Sequence, residues 1–137
     1  MQEQWTRWEP VIGLARKYDI ETIYNNNDGL TITLMDVKNN KSKVHMIFTG
    51  RLISYRWADE TYMDYRVQNL FRDYGSEFFC EWTFFKVTDS EYSKYISKTS
   101  GTISDYTPYI HFAFFTEESI FEVLVMYEPE IEFVHLP

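Results

Sequence analysis

Residues 29–37, GLTITLMDV, alternate Leu30, Ile32 and Leu34 with Thr31 and Thr33. No other feature restricts the fold of this chain as strongly. A period of two puts the apolar side chains on one face of an extended strand, whereas a helix would scatter them around its circumference. The period returns in KVHMIFTG (43–50), where Val44, Met46 and Phe48 oppose His45 and Ile47, and again in RLISYRW (51–57). The first two runs are expected to form a hairpin across the loop VKNNKS, with Gly50 supplying the turn before the third. NNND at 25–28 and NNKSK at 39–43 read as exposed loops at hairpin turns.

Elsewhere the period lengthens. Met63, Val67, Leu70, Phe71 and Tyr74 fall at helical spacing, with Thr61 and Asp64 as a capping-box-like start and Gly75 as the stop. TDSEYSKYISKTSG (88–101) predicts a second helix, with Thr88 and Glu91 at the same capping spacing and Tyr92, Tyr95 and Ile96 as its stripe. Trp5, Trp8, Val11, Ile12 and Ala15 recur every three or four residues and predict a short helix within 5–20, Pro10 lying in its first turn. EFFCEWTFFKV (77–87), PYIHFAFF, SIFEVLVMY and EIEFVHL read as strands, and Pro129 limits the last join to a bend or bulge. Strict βαβ alternation is missing, which argues against a doubly wound nucleotide fold. The expected architecture is a single α+β domain over 1–137, mainly an antiparallel sheet of about 6–8 strands with two or three helices on one face.

Charge and composition narrow the function classes. Aromatics make up 19% of the 137 residues, ample core material for one domain without metal or disulfide staples. With 13 Lys+Arg against 21 Asp+Glu, the net charge is -8. Nucleic-acid affinity rests on clustered basic residues, which the chain lacks, so no nucleic-acid partner is expected. The longest apolar runs are far too short to span a bilayer as a helix, so no membrane partner is expected. One cysteine allows no intramolecular disulfide, and MQEQWTRWEP carries no basic-then-apolar signal pattern, so a cytoplasmic setting is expected.

Candidate reactive groups each have a structural explanation. As a strand, 77–87 places Cys80 with Phe78, Trp82 and Phe84, an apolar face flanked by Glu77 and Glu81 that disfavours a thiolate; a buried, inert thiol is expected. His45, His111 and His135 lie in predicted strands without metal-ligand spacing, so no metal is expected. His111 reads as a hydrogen-bonded sheet histidine and His135 as exposed. Asp59–Glu60 and Asp89 with Glu91 suit helix N-termini. Glu117–Glu118 sit at a turn. Glu128, Glu130 and Glu132 alternate opposite Ile131 and Phe133, a solvated sheet face that is also a flat acidic stripe. GxxxxGK[ST], GxGxxG and GxSxG are all missing, so neither a catalytic residue nor a cofactor is expected.

The run WTFFKVTDSEYSKYISKTSG, with HFAFFTEESIFEVLVMYEPEIE and, upstream, RWADE and LFRDYG, resembles a family of small acidic cytosolic proteins of bacilli and related Gram-positive bacteria. Some members accompany polymorphic secreted toxins as candidate immunity proteins. The resemblance implies a stable scaffold without an active site and a surface complementary to a toxin that is often basic.

These readings converge on a non-enzymatic acidic domain that binds another protein, a basic toxin domain being the partner implied. Glu117, Glu118, Glu128, Glu130 and Glu132 are the expected contact residues. Two alternatives stand beside it. One is a small-molecule-binding or enzymatic domain with an aromatic-lined pocket and His111 with a carboxylate as polar anchors. The other is a homodimer joined through surface aromatics.

Overall fold

The computed structural model describes residues 2–50, 52–101 and 109–135. The expected strand ends at Arg51, Pro108 and Leu136 lie outside them. Among the described residues the chain forms β1 (Gln4–Arg7), β2 (Tyr18–Asn26), β3 (Gly29–Asp36), β4 (Asn39–Phe48) and β5 (Leu52–Asp59). A 3-10 turn at Glu60–Met63 leads into α1 (Asp64–Tyr74) and α2 (Ser76–Cys80). Then follow β6 (Phe84–Thr88), α3 (Glu91–Ser100), β7 (Ile110–Phe115), β8 (Ser119–Val125) and β9 (Glu130–His135).

The fold class is α+β with antiparallel pairing throughout, as the periodicities predict. The strands divide between two sheets, ordered β1-β6-β7-β8-β5 and β2-β3-β4-β9. Leu30, Ile32 and Leu34 of β3 with Val44, Met46 and Phe48 of β4 form the inner face of the four-stranded sheet. They pack against Phe84, Phe112, Phe114, Phe121 and Val123 of the five-stranded one. Its opposite face carries Trp5, Phe85, Ala113 and Phe115, covered by Val67 and Leu70 of α1 and Phe79 of α2. Tyr92 of α3 meets the His111 ring on that face, so the helices share one side. β7 and β8 are therefore covered on both faces, which explains their nearly unbroken apolar runs.

The β3–β4 hairpin forms as expected, with Leu30 facing Phe48 and Leu34 facing Val44. Its turn is tighter than expected: Val37 and Lys38 make it, and NNKSK belongs to the exposed end of β4. Gly29 permits the approach of the next strand. Its φ is +135°, and a Cβ there would run into the carbonyl oxygen of Phe48.

Three local expectations are corrected. The 5–20 segment is not a helix. Trp5 pairs with Val87 across β1–β6, Gly13 turns the chain at φ +101°, and Tyr18 opens β2. The spacing of its aromatics reflects two cores, Trp5 facing the helices and Trp8 the space between the sheets. The EFFC part of 77–87 is helical, and only Phe84 onward is strand. Gly75, at φ +87°, separates α1 from α2 and lets Phe79 bury completely while Phe78 stacks on Tyr74. The helix starts also shift. Asp59 Oδ1 accepts from the Thr61 N–H at 2.9 Å, and Ser90 Oγ accepts from the Ser93 N–H at 3.0 Å. These side chains, not Thr61 or Thr88, cap the turns.

Candidate functional site

Glu122 sits in the middle of β8, in an otherwise apolar run, and is 1% exposed. Its pleat points it at the helix layer, where Arg66 of α1 donates Nη1 to Oε2 at 2.8 Å and Nη2 to Oε1 at 2.6 Å. Arg56, directly opposite on β5, donates Nε to Oε2 at 2.7 Å. His111 Nε2 lies 3.1 Å from Oε1, and its Nδ1 is 2.6 Å from Ser90 Oγ. The two ring nitrogens thus bridge Glu122 and the Ser90 hydroxyl, the tautomer setting which atom donates in each contact. The Arg56 guanidinium lies 4.0 Å from the Tyr92 ring centre, and the Tyr92 hydroxyl bonds Ser54.

Burial alone would push the Glu122 carboxyl up. Hydrogen bonds from Arg66, His111 and Arg56 outweigh it and hold the group well below the usual carboxylate range. Burial likewise opposes charge on Arg66, yet its bonds to Glu122 keep the guanidinium above its ordinary value. His111 is thus the hydrogen-bonded sheet histidine expected, and it does stand beside a carboxylate. The chain Ser90–His111–Glu122 has the connectivity of an acyl-transfer relay. Its parts have structural duties. Ser90 is 4% exposed and its hydroxyl caps α3, and two guanidiniums already share the charge of Glu122. The centre ties β5, β7, β8, α1 and α3 together.

A second polar centre lies at one end of the five-stranded sheet. Lys17 is buried, and its ammonium donates to the carbonyls of Phe79, Trp82 and Phe115 at 2.8, 3.1 and 2.6 Å. Desolvation lowers its pKa to about 8, against the raising influence of Cys80, Glu117 and Glu60. Beside it the β7–β8 turn is knitted by Thr116, whose Oγ1 accepts from the Ser119 N–H at 2.9 Å. Glu117 and Glu118 project from that turn into solvent. The Glu60 N–H donates to the Glu118 carbonyl at 2.8 Å and draws the end of β5 against the turn. Among the described residues, Asp59, Glu60, Asp64, Glu117 and Glu118, with Thr61, then line one concavity of about 750 Å3. Partial burial raises the Glu60 pKa; Lys17 opposes this, while Asp59 and Asp64 add to it.

The remaining expected residues fall elsewhere. Glu130 and Glu132 are exposed on β9, opposite Ile47 and His45 on the four-stranded sheet, and Glu132 lies 3.8 Å from His45. Glu128 precedes that strand and pairs with Lys86 at 2.6 Å, so the three acids do not form one continuous stripe. His135 is exposed, as expected. Asp89 has φ +51° just before the α3 cap, and Glu91 opens that helix, its N–H bound by Glu3 at 3.0 Å. Cys80 is exposed, contrary to expectation, because helical rather than strand period sets its direction. It borders a concavity of about 520 Å3 together with Arg16, Lys17 and Lys38. Among the described residues no group of three His, Cys, Asp or Glu is placed to hold a metal ion.

Sequence reasoning missed Glu122, Arg56, Arg66 and Lys17. The one available signal was the lone acid inside SIFEVLVMY, since a buried charge requires partners. Comparison of the chain with family models, with curated proteins and with solved structures finds no match.

Proposed function

We propose that the protein is a non-enzymatic domain that binds a basic protein through the acidic concavity, in the role of a toxin-neutralising immunity factor. The observation that carries the reading is the convergence of Asp59, Glu60, Asp64, Glu117 and Glu118 on one surface whose lining, among the described residues, includes no Lys or Arg. Carboxylates crowded this way repel one another, and a cationic partner relieves the repulsion while a neutral one does not. The net charge of -8 extends the same field and speeds encounter with a basic surface. Tyr62 and Tyr65, largely exposed on the adjoining turn and helix, offer aromatic faces to incoming cations. A cytoplasmic setting belongs to the proposal, since an exposed free thiol suits a reducing compartment.

Glu117 and Glu118 thus keep the role expected of them, joined by Asp59, Glu60 and Asp64. Glu130 and Glu132 lie on the other sheet and become the control. A lysine-rich peptide serves as the probe at low ionic strength. Glu117→Lys with Glu118→Lys is expected to weaken its binding by about tenfold or more, and salt should weaken the wild type in parallel. The matched pair Glu130→Lys and Glu132→Lys changes net charge equally and should cost far less. Equal losses from the two pairs would reduce the effect to overall charge and sink the assignment.

A further inference from the structure

β5 is an edge strand of the five-stranded sheet, paired on one side with β8 from Leu52 to Asp59. Among the described residues no strand pairs with its other side. Ser54 and Arg56 turn toward the helices, where Tyr92 and Glu122 hold them. Tyr55 and Trp57 turn the opposite way, toward the four-stranded sheet. That sheet has one strand fewer and does not cover them, so they are 40% and 52% exposed. Their partners across the ladder, Val123 and Phe121, are fully buried. The boundary of the core therefore runs between β8 and β5.

Edge strands are ordinarily defended by proline, lysine, inward-pointing charges or a bulge. The register shift in β5 lies between Leu52 and Ser54, from Ser54 to Asp59 neither proline nor lysine occurs, and the inward-pointing Arg56 is already paired with Glu122. Asp59 shares the parity of Tyr55 and Trp57 and enters the acidic concavity at the strand's end. Two aromatic platforms and a carboxylate thus follow one another at the repeat of an extended chain, roughly 6.7 Å per two residues.

Resting on the binding role above, we propose that the basic partner docks as a strand. An extended segment adds antiparallel to the free edge of β5 and extends the five-stranded sheet. Alternate side chains of that segment lie over Trp57 and Tyr55, and a cationic side chain opposite Asp59 enters the concavity. Antiparallel order makes the recognised pattern basic–x–apolar–x–apolar. Main-chain bonds supply affinity, and the alternate positions supply selectivity.

The probe is the capped peptide acetyl-Thr-Arg-Thr-Val-Thr-Phe-Thr-amide, followed by amide chemical shifts of the isotope-labelled protein. Two further forms carry N-methyl groups on one or the other alternate set of peptide amides, leaving charge and side chains unchanged. Shifts are expected at Ser54–Asp59. One N-methylated form should bind at least tenfold more weakly, because its blocked amides face β5, and the other should bind within twofold of the parent. If both methylated forms bind like the parent and Glu117→Lys with Glu118→Lys abolishes all three, strand addition is overturned while acidic recognition stands. If none of the peptides shows salt-sensitive binding, both fall.

Discussion

The guanidinium of Arg66 holds the carboxylate of Glu122 by two hydrogen bonds, 2.8 and 2.6 Å long, between α1 and β8. It is the bidentate geometry in which arginine is strongest, with the carboxylate withdrawn from water. The charge of a buried pair is costly to strand. Glu122→Leu should destabilise the fold by about 3–5 kcal/mol in urea unfolding, by leaving Arg66 and Arg56 without their carboxylate, and Arg66→Met should cost less, because Arg56 and His111 still hold Glu122. The double variant should lose less than the sum of the singles, which a double-mutant cycle measures. Additive losses would mean that the two side chains act independently.

Acid stability follows from the same carboxylate. Glu122 titrates well below the usual range in the folded state and near its ordinary value, about 4.3, when unfolded. Its contribution is present above the unfolded value and is lost as pH falls through the folded one, because in that window the unfolded chain binds the extra proton. Glu122→Gln should therefore flatten the acid limb of the stability–pH curve. The basic limb holds the opposite case. Lys17 titrates at about 8 when folded and near 10.5 when unfolded, so the unfolded state holds more protons between them and stability rises with pH there. The advantage of wild type over Lys17→Met should widen across that window.

Cys80 is exposed at the end of α2. A disulfide-forming chromogenic reagent should titrate one thiol in the native protein at a rate that low concentrations of denaturant do not raise. Protection until global unfolding would restore the buried position that a strand would give it.

Gly29 and Gly75 both have positive φ but differ in what surrounds them. A Cβ on Gly75 meets nothing within 4 Å, so Gly75→Ala should cost only backbone strain, about 1–3 kcal/mol. At Gly29 the same substitution also collides with the Phe48 carbonyl and should cost roughly 3 kcal/mol or more. Thermal or urea unfolding of the two variants separates the effects.

Local period was a sound guide wherever one face of an element meets one core. Leu30, Ile32 and Leu34 announce a strand because their alternation repeats over the whole element, and Val67, Leu70 and Phe71 announce a helix in the same way. It misled in the short elements between layers. Trp5 and Trp8 lie close in sequence yet serve different cores, so their spacing imitated a helix. Phe78 and Phe79 sit in only one and a half turns of helix, too short for any period to emerge. The acids at 117 and 118 were visible as a turn, but their meeting with Asp59, Glu60 and Asp64 depends on the pairing of β5 with β8, across about 60 residues of chain.

By itself, then, the sequence determined the α+β class, the antiparallel preference, most strand positions and the acidic character, because these follow from nearest-neighbour patterning and summed charge. Tertiary structure alone decided that the strands split into two sheets, that Cys80 faces water, and that Glu122 gains two arginines. It also decided that β5 is left as an edge beside the carboxylates. Each of those outcomes is set by which distant segments compete for the same buried space, a comparison that no local window of residues contains.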